Sequence, residues 1–207
     1  MKFGDETMEL KGRKVTLARI VSRLTAAPLI NFYAGIIISI STYPALGPIL
    51  NPWSNMIICT LLMVIAPVAP IVFQAKRGKV DLDVSKQEQR LWFFVFGIFC
   101  YLAAYGVYWF LNSDVMRILA AAYVAVTTGV TVVNGFTKVS VHAAGIAGPS
   151  TALIFMYGIP ALPVIGLWCL VVWARSILKQ HSIVQGIIGI ILGMSITAVT
   201  YFLLYPL

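Results

Sequence analysis

The sequence predicts an all-α integral membrane protein, a polytopic bundle of six to seven transmembrane helices. Of its 207 residues, 60% are hydrophobic and only 11% are charged, and the mean hydropathy is +0.91. A soluble domain carries roughly a quarter charged residues, so this composition excludes a soluble globular enzyme. Apolar runs as long as the ~20 residues that cross a bilayer recur along the chain.

The apolar runs give the predicted helices in order: residues 29–50, 55–73, 91–111, 115–133, 143–174 and 185–205. The run 143–174 is too long for one span, and Gly158-Ile159-Pro160 inside it predicts a turn. We therefore expect a hairpin of two short helices there, which brings the count to seven.

Residues 1–28 form a basic segment in which residues 15–24 fit an amphipathic helix at a membrane surface. Residues 29–207 are predicted to form a single transmembrane domain.

The positions of the basic residues predict the orientation. With seven spans, one side of the membrane receives the N-terminal segment, the loop 74–90, residues 134–142 and residues 175–184. These four regions hold 14 of the 15 Lys and Arg residues. Because positive loops favour the cytoplasm, we expect a multi-pass protein of the cell membrane with a cytoplasmic N-terminus. The basic loops lack aromatic stacking partners, so a nucleic-acid partner is not expected.

Two short segments on this predicted cytoplasmic face hold the only histidines of the chain. Lys138 precedes His142, and Arg175 precedes His181. Guanidinium and ammonium groups bind phosphate oxygens, and imidazole can attack phosphorus or donate a proton near neutral pH. Together these residues indicate a phosphate site, although each histidine alone also fits an interfacial hydrogen-bonded residue. Two distant histidines without a carboxylate pair do not indicate a metal site.

The sequence motifs around these two histidines resemble those of a known family. Arg175-x5-His181-x3-Gln185 is similar to the third motif, Ser-Arg-x5-His-x3-Asp, of the type 2 phosphatidic acid phosphatase superfamily, which is related to the vanadium haloperoxidases. Ser140-Val141-His142 resembles its second motif, Pro-Ser-Gly-His. The loop that ends at Arg90 lies where the first motif, Lys-x6-Arg-Pro, belongs. The resemblance covers roughly residues 76–190.

The resemblance implies a metal-independent phosphatase that needs no cofactor and acts through a phosphohistidine. His181 would be the nucleophile, His142 the general acid and Gln185 the partner of His181. The implied phosphate ligands are Arg175, Ser140, Arg90, Lys79 and Lys138. The implied substrates are lipid phosphates or prenyl diphosphates, whose tails would lie between helices. Neither the lipid nor the oligomeric state follows from the motifs.

The sequence departs from the family pattern in all three motifs. Lys86, which six residues separate from Lys79, is an alternative ligand in the first motif. In the first motif Leu91 stands in place of proline. In the second motif Val139 replaces proline and Val141 replaces glycine, and in the third Ala174 replaces serine and Gln185 replaces aspartate. These changes leave open a silent relative that binds or moves an anionic lipid. A transporter is disfavoured because the middle spans carry almost no ionisable residues.

Overall fold

The computed structural model describes residues 1–205, and these contain helices and turns but no β-strand. The predicted all-α fold is confirmed. We label the α-helices α1 (Arg13–Leu24), α2 (Ala27–Ser41), α3 (Pro52–Lys76), α4 (Arg90–Phe110), α5 (Asp114–Phe136), α6 (Val141–Tyr157), α7 (Ile165–Ile177) and α8 (Ile183–Leu204). Short 3₁₀ turns at Gly4–Met8, Gln87–Gln89 and Ile159–Val164 complete the helical elements, and α3 contains a π-helical segment at Thr60–Ile65.

Five helices within residues 1–205 are long and apolar enough to span a membrane, and a sixth span results if α1 and α2, which meet at 51°, count as one. The outer surface is apolar: Trp53, Phe110, Phe136 and Ile159 are between 76% and 88% exposed. Large apolar side chains exposed over a whole surface are not compatible with water. These features indicate a multi-pass membrane protein. Since α2 and α6 have only 15 and 17 residues, a count of seven spans stays a prediction.

The predicted hairpin within residues 143–174 is confirmed. Helix α6 ends at Gly158, whose φ of +66° a residue with a side chain rarely adopts. The 3₁₀ turn Ile159–Val164 then leads into α7. His142 at the start of α6 and Arg175 near the end of α7 both lie beside Asp83. The chain has therefore reversed direction between them.

The first predicted span, residues 29–50, is wrong in its second half. Helix α2 ends at Ser41, and residues 42–50 are irregular. Pro44 and Pro48 have no N–H to donate to a helix, and Gly47 adopts a φ of +104°. A Cβ atom at Gly47 would lie 2.3 Å from the carbonyl oxygen of Asn112. This segment therefore folds back against the start of α5 instead of extending α2.

Helices α6 and α8 form the closest pair of the bundle. A Cβ atom at Gly189 would lie 2.6 Å from the carbonyl oxygen of Ser140, and one at Gly193 would lie 2.6 Å from that of Ala144. Small residues let two helix backbones approach in this way. Because α6 carries Ser140 and His142 and α8 follows His181, this contact fixes both halves of the site described below.

The N-terminal segment packs on the same end of the molecule. The predicted amphipathic helix is present as α1, and its Ala18 packs with Ala174 and Leu178 of α7 and the turn after it. The preceding 3₁₀ turn is tied to α1 by ion pairs of 2.6 Å, Asp5–Arg19 and Glu6–Arg23. The segment therefore contacts the helix that carries Arg175.

Candidate functional site

The four basic regions meet at one end of the bundle, as the sequence predicts. Ser22 of the N-terminal segment accepts a hydrogen bond from Arg175. Ser85 of the loop 74–90 donates to Gln180, and Arg90 donates to the carbonyl oxygen of Val139. Each basic region thus contacts at least one of the others.

The end of α7 places Arg175 and His181 side by side. Lys179 adopts the left-handed conformation, φ +53°, in the position where a helix often ends in this way. The carbonyl oxygen of Arg175 then accepts from the N–H groups of both Gln180, at 3.0 Å, and His181, at 3.3 Å. The turn that ends α7 therefore brings His181 back to the backbone of Arg175.

The Arg175 side chain is only 3% exposed. Its Nη1 donates to Ser22 Oγ at 3.0 Å and to Asp83 Oδ1 at 3.3 Å. Its Nε has no hydrogen-bond partner among residues 1–205. A buried guanidinium with a free N–H can donate to a further oxygen ligand.

Asp83 supplies the negative charge at the centre of the cluster. Its Oδ1 lies 3.3 Å from Arg175 Nη1 and 3.8 Å from His142 Nε2, and its Oδ2 accepts from the N–H of Gly4 at 3.2 Å. The carboxylate thus lies between a cation and an imidazole. This is the position in which a bound phosphate oxygen would meet the same two groups.

Arg90 is buried and joins the loop to the start of α6. Its Nε donates to the carbonyl oxygen of Val84 at 2.9 Å, and its Nη1 donates to that of Val139 at 3.0 Å and to Asn134 Oδ1 at 3.4 Å. Some of the N–H groups of Arg90 therefore hold the loop and the start of α6 together. The residue also lines the cavity described below, so its charge faces the space beside His142.

His181 is buried and bonded to Gln185. Gln185 Oε1 lies 3.2 Å from His181 Nδ1 and accepts from the N–H of Ser182 at 3.1 Å. Since an amide oxygen only accepts, Nδ1 carries the ring proton and Nε2 keeps its lone pair. Burial lowers the pKa of His181 to about 3, and the positive charges of Arg175, Arg90 and Lys138 add to the effect. The imidazole is therefore neutral near pH 7.

Ser140 connects the second and third segments. Its Oγ caps α6 by accepting from the N–H of Ala143 at 3.3 Å, and its own N–H donates to the carbonyl oxygen of Gln185 at 3.2 Å. Lys138 is half-buried, and burial together with the charges of Arg90 and Arg175 lowers its pKa. Both residues thus lie with the cluster.

The structure does not bring Lys79 into the cluster. Helix α3 ends in a turn in which the N–H of Lys79 donates to the carbonyl oxygen of Gln74, and the side chains of Lys79 and Lys86 are exposed. Neither side chain forms an ion pair or hydrogen bond within the described part of the chain. The first segment therefore contributes Arg90 and Asp83 to the cluster.

Sequence reasoning missed the role of Asp83. The closeness of these residues in the sequence favours local pairing of Asp81, Asp83 and Glu88 with Lys79, Lys86 and Arg90. Asp81 instead accepts from Ser85, and Asp83 pairs with Arg175, which lies 92 residues later. The one available signal was Arg175 at the end of an apolar segment, because an arginine buried in such a place requires a negatively charged partner. Ser22 and Asn134 had no sequence signal.

An apolar cavity of about 230 Å³ opens next to the cluster. Asp83, Arg90 and His142 line its charged end. From there it extends between α2, α3, α4, α5 and α6 to Tyr101 and Tyr123. The cluster therefore communicates with a space inside the apolar part of the bundle.

Comparison of the chain with protein-family models, curated proteins and solved structures finds no match. No group of three or more His, Cys, Asp or Glu side chains with metal-binding spacing occurs in residues 1–205. The chemistry of the cluster is therefore inferred from its own residues. These offer a buried arginine, two imidazoles and further cations around one anion position.

Proposed function

We propose that this protein is a membrane phosphatase that hydrolyses a lipid phosphate or prenyl diphosphate through a phosphohistidine on His181. The observation that carries the proposal is the position of the Asp83 carboxylate. It lies between Arg175 and His142, at 3.3 Å and 3.8 Å from their nitrogen atoms. A phosphate in the same place would meet a guanidinium and an imidazole at once.

The first chemical step uses a neutral His181. Its Nε2 lone pair attacks phosphorus, so that a P–N bond forms while the P–O bond to the lipid breaks. Gln185 Oε1 holds the Nδ1 proton and, with it, the ring orientation. His142 takes up a proton when the anionic phosphate binds beside it. It gives this proton to the leaving oxygen, which departs as an alcohol or as a prenyl phosphate.

The second step returns the protein to its starting state. His142, now neutral, takes a proton from water, and the oxygen of that water attacks phosphorus. The P–N bond breaks, inorganic phosphate leaves and the electron pair returns to His181 Nε2. Arg175, Arg90 and Lys138 neutralise the phosphoryl oxygens in both steps, which is the main requirement of phosphoryl transfer.

One alternative has a specific observation in its favour. The anion position already holds the Asp83 carboxylate, and Gln185 cannot supply the charge that stabilises an imidazolium. A protein that binds or moves an anionic lipid without cleaving it would need only the cations and a displaceable carboxylate. Such a protein would bind the phosphate headgroup and release no inorganic phosphate.

The test is phosphate release in detergent containing EDTA. The panel consists of phosphatidate, phosphatidylglycerophosphate and prenyl mono- and diphosphates, and we expect release from at least one of them. His181→Ala should abolish release, because no other group replaces the nucleophile, and Arg175→Ala should reduce it by roughly 10²-fold or more.

The matched control for lost positive charge is Lys76→Ala, because Lys76 is an exposed cation at the end of α3. It should behave as the native protein. A fully active His181→Ala protein would overturn the assignment of His181 as the nucleophile. Binding of the panel lipids by folded native protein without release of inorganic phosphate would favour the lipid-binding alternative.

A further inference from the structure

The cavity beside the cluster extends along α4, and its depth follows from the residues of α4 that line it. On α4 its lining runs from Arg90 to Tyr101, which are eleven positions apart and therefore separated by a rise of roughly 16 Å in an α-helix. This is about half of the ~30 Å hydrocarbon thickness of a bilayer. The cavity therefore reaches from the charged cluster to about the depth of one leaflet.

The walls between the two ends are apolar. Phe93, Phe94 and Gly97 on α4 and Val126 and Val130 on α5 line this part of the space. The absence of a side chain at Gly97 keeps the middle open, since the nearest atom to a Cβ built there is Tyr101 Cε2 at 4.0 Å. A hydrocarbon chain fits these walls, and a polar ligand does not.

The deep end is closed by polar side chains. The rings of Tyr101 and Tyr123 meet edge to face with their centroids 5.4 Å apart, and Asn31 donates to the carbonyl oxygen of Met63 beside them. Tyr123 is only 6% exposed, and its hydroxyl has no hydrogen-bond partner within the described residues. Beyond it on α5, Leu119 is fully buried in the same core cluster as Tyr123, so the cavity ends at the Tyr123 ring.

We infer that the substrate carries a single hydrocarbon chain, which lies in this cavity with its phosphate at the cluster, and that Tyr123 and Gly97 set the accepted chain length. The inference rests on the proposed function for the headgroup position. It goes beyond that function by naming the tail and the residues that select it.

The volume argues for one chain. A cavity of about 230 Å³ is smaller than the roughly 300–1,000 Å³ of ordinary small-molecule pockets, and two acyl chains do not share it. The charges complete the match, because Arg90 and His142 line one end only. In a bilayer the tail is already out of water, so the cavity selects length by fit and not by hydrophobic transfer.

The test is equilibrium binding of phosphonates, in which a P–C bond replaces the ester and prevents turnover. Native protein in lipid discs is titrated with linear and prenyl phosphonates of rising chain length and with a two-chain phosphonate. We expect a longest accepted chain, beyond which affinity falls by at least about tenfold, because overpacking a filled site has that effect. The two-chain ligand should bind at least about tenfold more weakly than the best single chain.

Two variants should move the limit in opposite directions. Gly97→Val narrows the cavity halfway along and should shift the optimum to shorter chains, whereas Tyr123→Ala removes the floor and should shift it to longer ones. Gly106→Val is the matched control on the same helix, because Gly106 is exposed and has no neighbour within 4 Å of a built Cβ. It should keep the native optimum.

An unchanged length optimum in Gly97→Val overturns the inference, and so does a two-chain ligand that binds as well as the best single chain. If Tyr123→Ala does not fold, the Gly97→Val shift decides alone. Length-dependent binding without phosphate release from any ester would overturn the proposed function and keep the tail site. Phosphate release together with binding that does not depend on chain length would keep the proposed function and overturn the tail site.

Discussion

Gln185 is the residue in which the cluster departs most clearly from the family that the sequence resembles. Its oxygen lies 3.2 Å from His181 Nδ1 and also caps α8 through the N–H of Ser182. The amide can therefore fix the imidazole tautomer but cannot stabilise a positive ring. A carboxylate at this position would do both.

We predict that Gln185→Asp retains or raises the rate of phosphate release. The added charge favours the imidazolium side of the reaction, and a carboxylate at this position can still accept from the N–H of Ser182. Gln185→Leu, which has no acceptor, should lower kcat by about 10²-fold. The rates are compared at saturating substrate, and equal rates in Gln185→Leu and native protein would show that Gln185 does not position His181.

Asp83 is the second residue whose replacement gives a clear result. Asp83→Asn keeps the shape of the side chain but removes the charge that pairs with buried Arg175. The loss of a buried partner should destabilise the fold by up to about 3–5 kcal/mol, and inorganic phosphate should restore stability by replacing the lost charge. The measurement is thermal unfolding of native and variant protein with and without phosphate.

The control for Asp83 is Asp81→Asn, because Asp81 accepts from Ser85 and Asp83 N–H within its own loop. Its response to phosphate should equal that of native protein. If phosphate stabilises Asp83→Asn no more than the native protein, then Asp83 does not occupy the anion position.

The lowered pKa of His181 predicts how stability depends on pH. In the folded protein this pKa is about 3, compared with an ordinary value of 6.5. Between these values the unfolded chain binds the proton and the folded protein does not. Stability is therefore lost as the pH falls below about 6.5, and the loss continues toward pH 3.

We expect the unfolding temperature of native protein to fall more steeply below pH 6.5 than that of His181→Asn, which has no group to protonate at this position. The comparison isolates His181 from the other titrating groups. Parallel curves for the two proteins would contradict the buried, neutral imidazole.

At the scale of elements, the contact between α6 and α8 holds the site together. Gly189→Ala would place a Cβ atom 2.6 Å from the carbonyl oxygen of Ser140 and 3.1 Å from Ala143 Cβ. The helices must separate, which should lower the free energy of unfolding by about 1–3 kcal/mol and move Ser140 and His142 away from His181. Unfolding in denaturant and the rate of phosphate release both measure this effect.

The control is Gly135→Ala on α5, where a Cβ atom meets nothing within 4 Å. This change should be neutral or stabilising by up to about 1 kcal/mol, because alanine favours a helix. Equal behaviour of the two variants would show that α6 and α8 tolerate a wider separation.

Elements set by local chemistry could be predicted from the sequence. The turn at Gly158-Ile159-Pro160, the helix predicted over residues 15–24 and the closeness of Arg175 to His181 all depend on residues near one another in the chain. The end of α2 at Ser41 was missed because apolar character continues through Leu46 and Leu50, which are buried in the core without being helical.

At the scale of the whole molecule, the distribution of positive charge predicted which segments share one end of the bundle. Hydrogen bonds among the four basic regions confirm that grouping. The pairing of Asp83 with Arg175 and the inclusion of Ser22 could not be predicted, because no local pattern reports which residues meet across the chain. The cavity likewise depends on five helices at once. The cytoplasmic position of this end stays a prediction from the positive-inside rule.

Trapping a phosphorylated His181 would show whether phosphate is transferred through this residue. Protein is mixed with a radiolabelled prenyl phosphate, quenched in alkali and digested, and the labelled peptide is identified. We expect label on His181 in native protein and none in His181→Gln. Turnover of the substrate with no label on His181, or turnover by His181→Gln, would contradict transfer through His181.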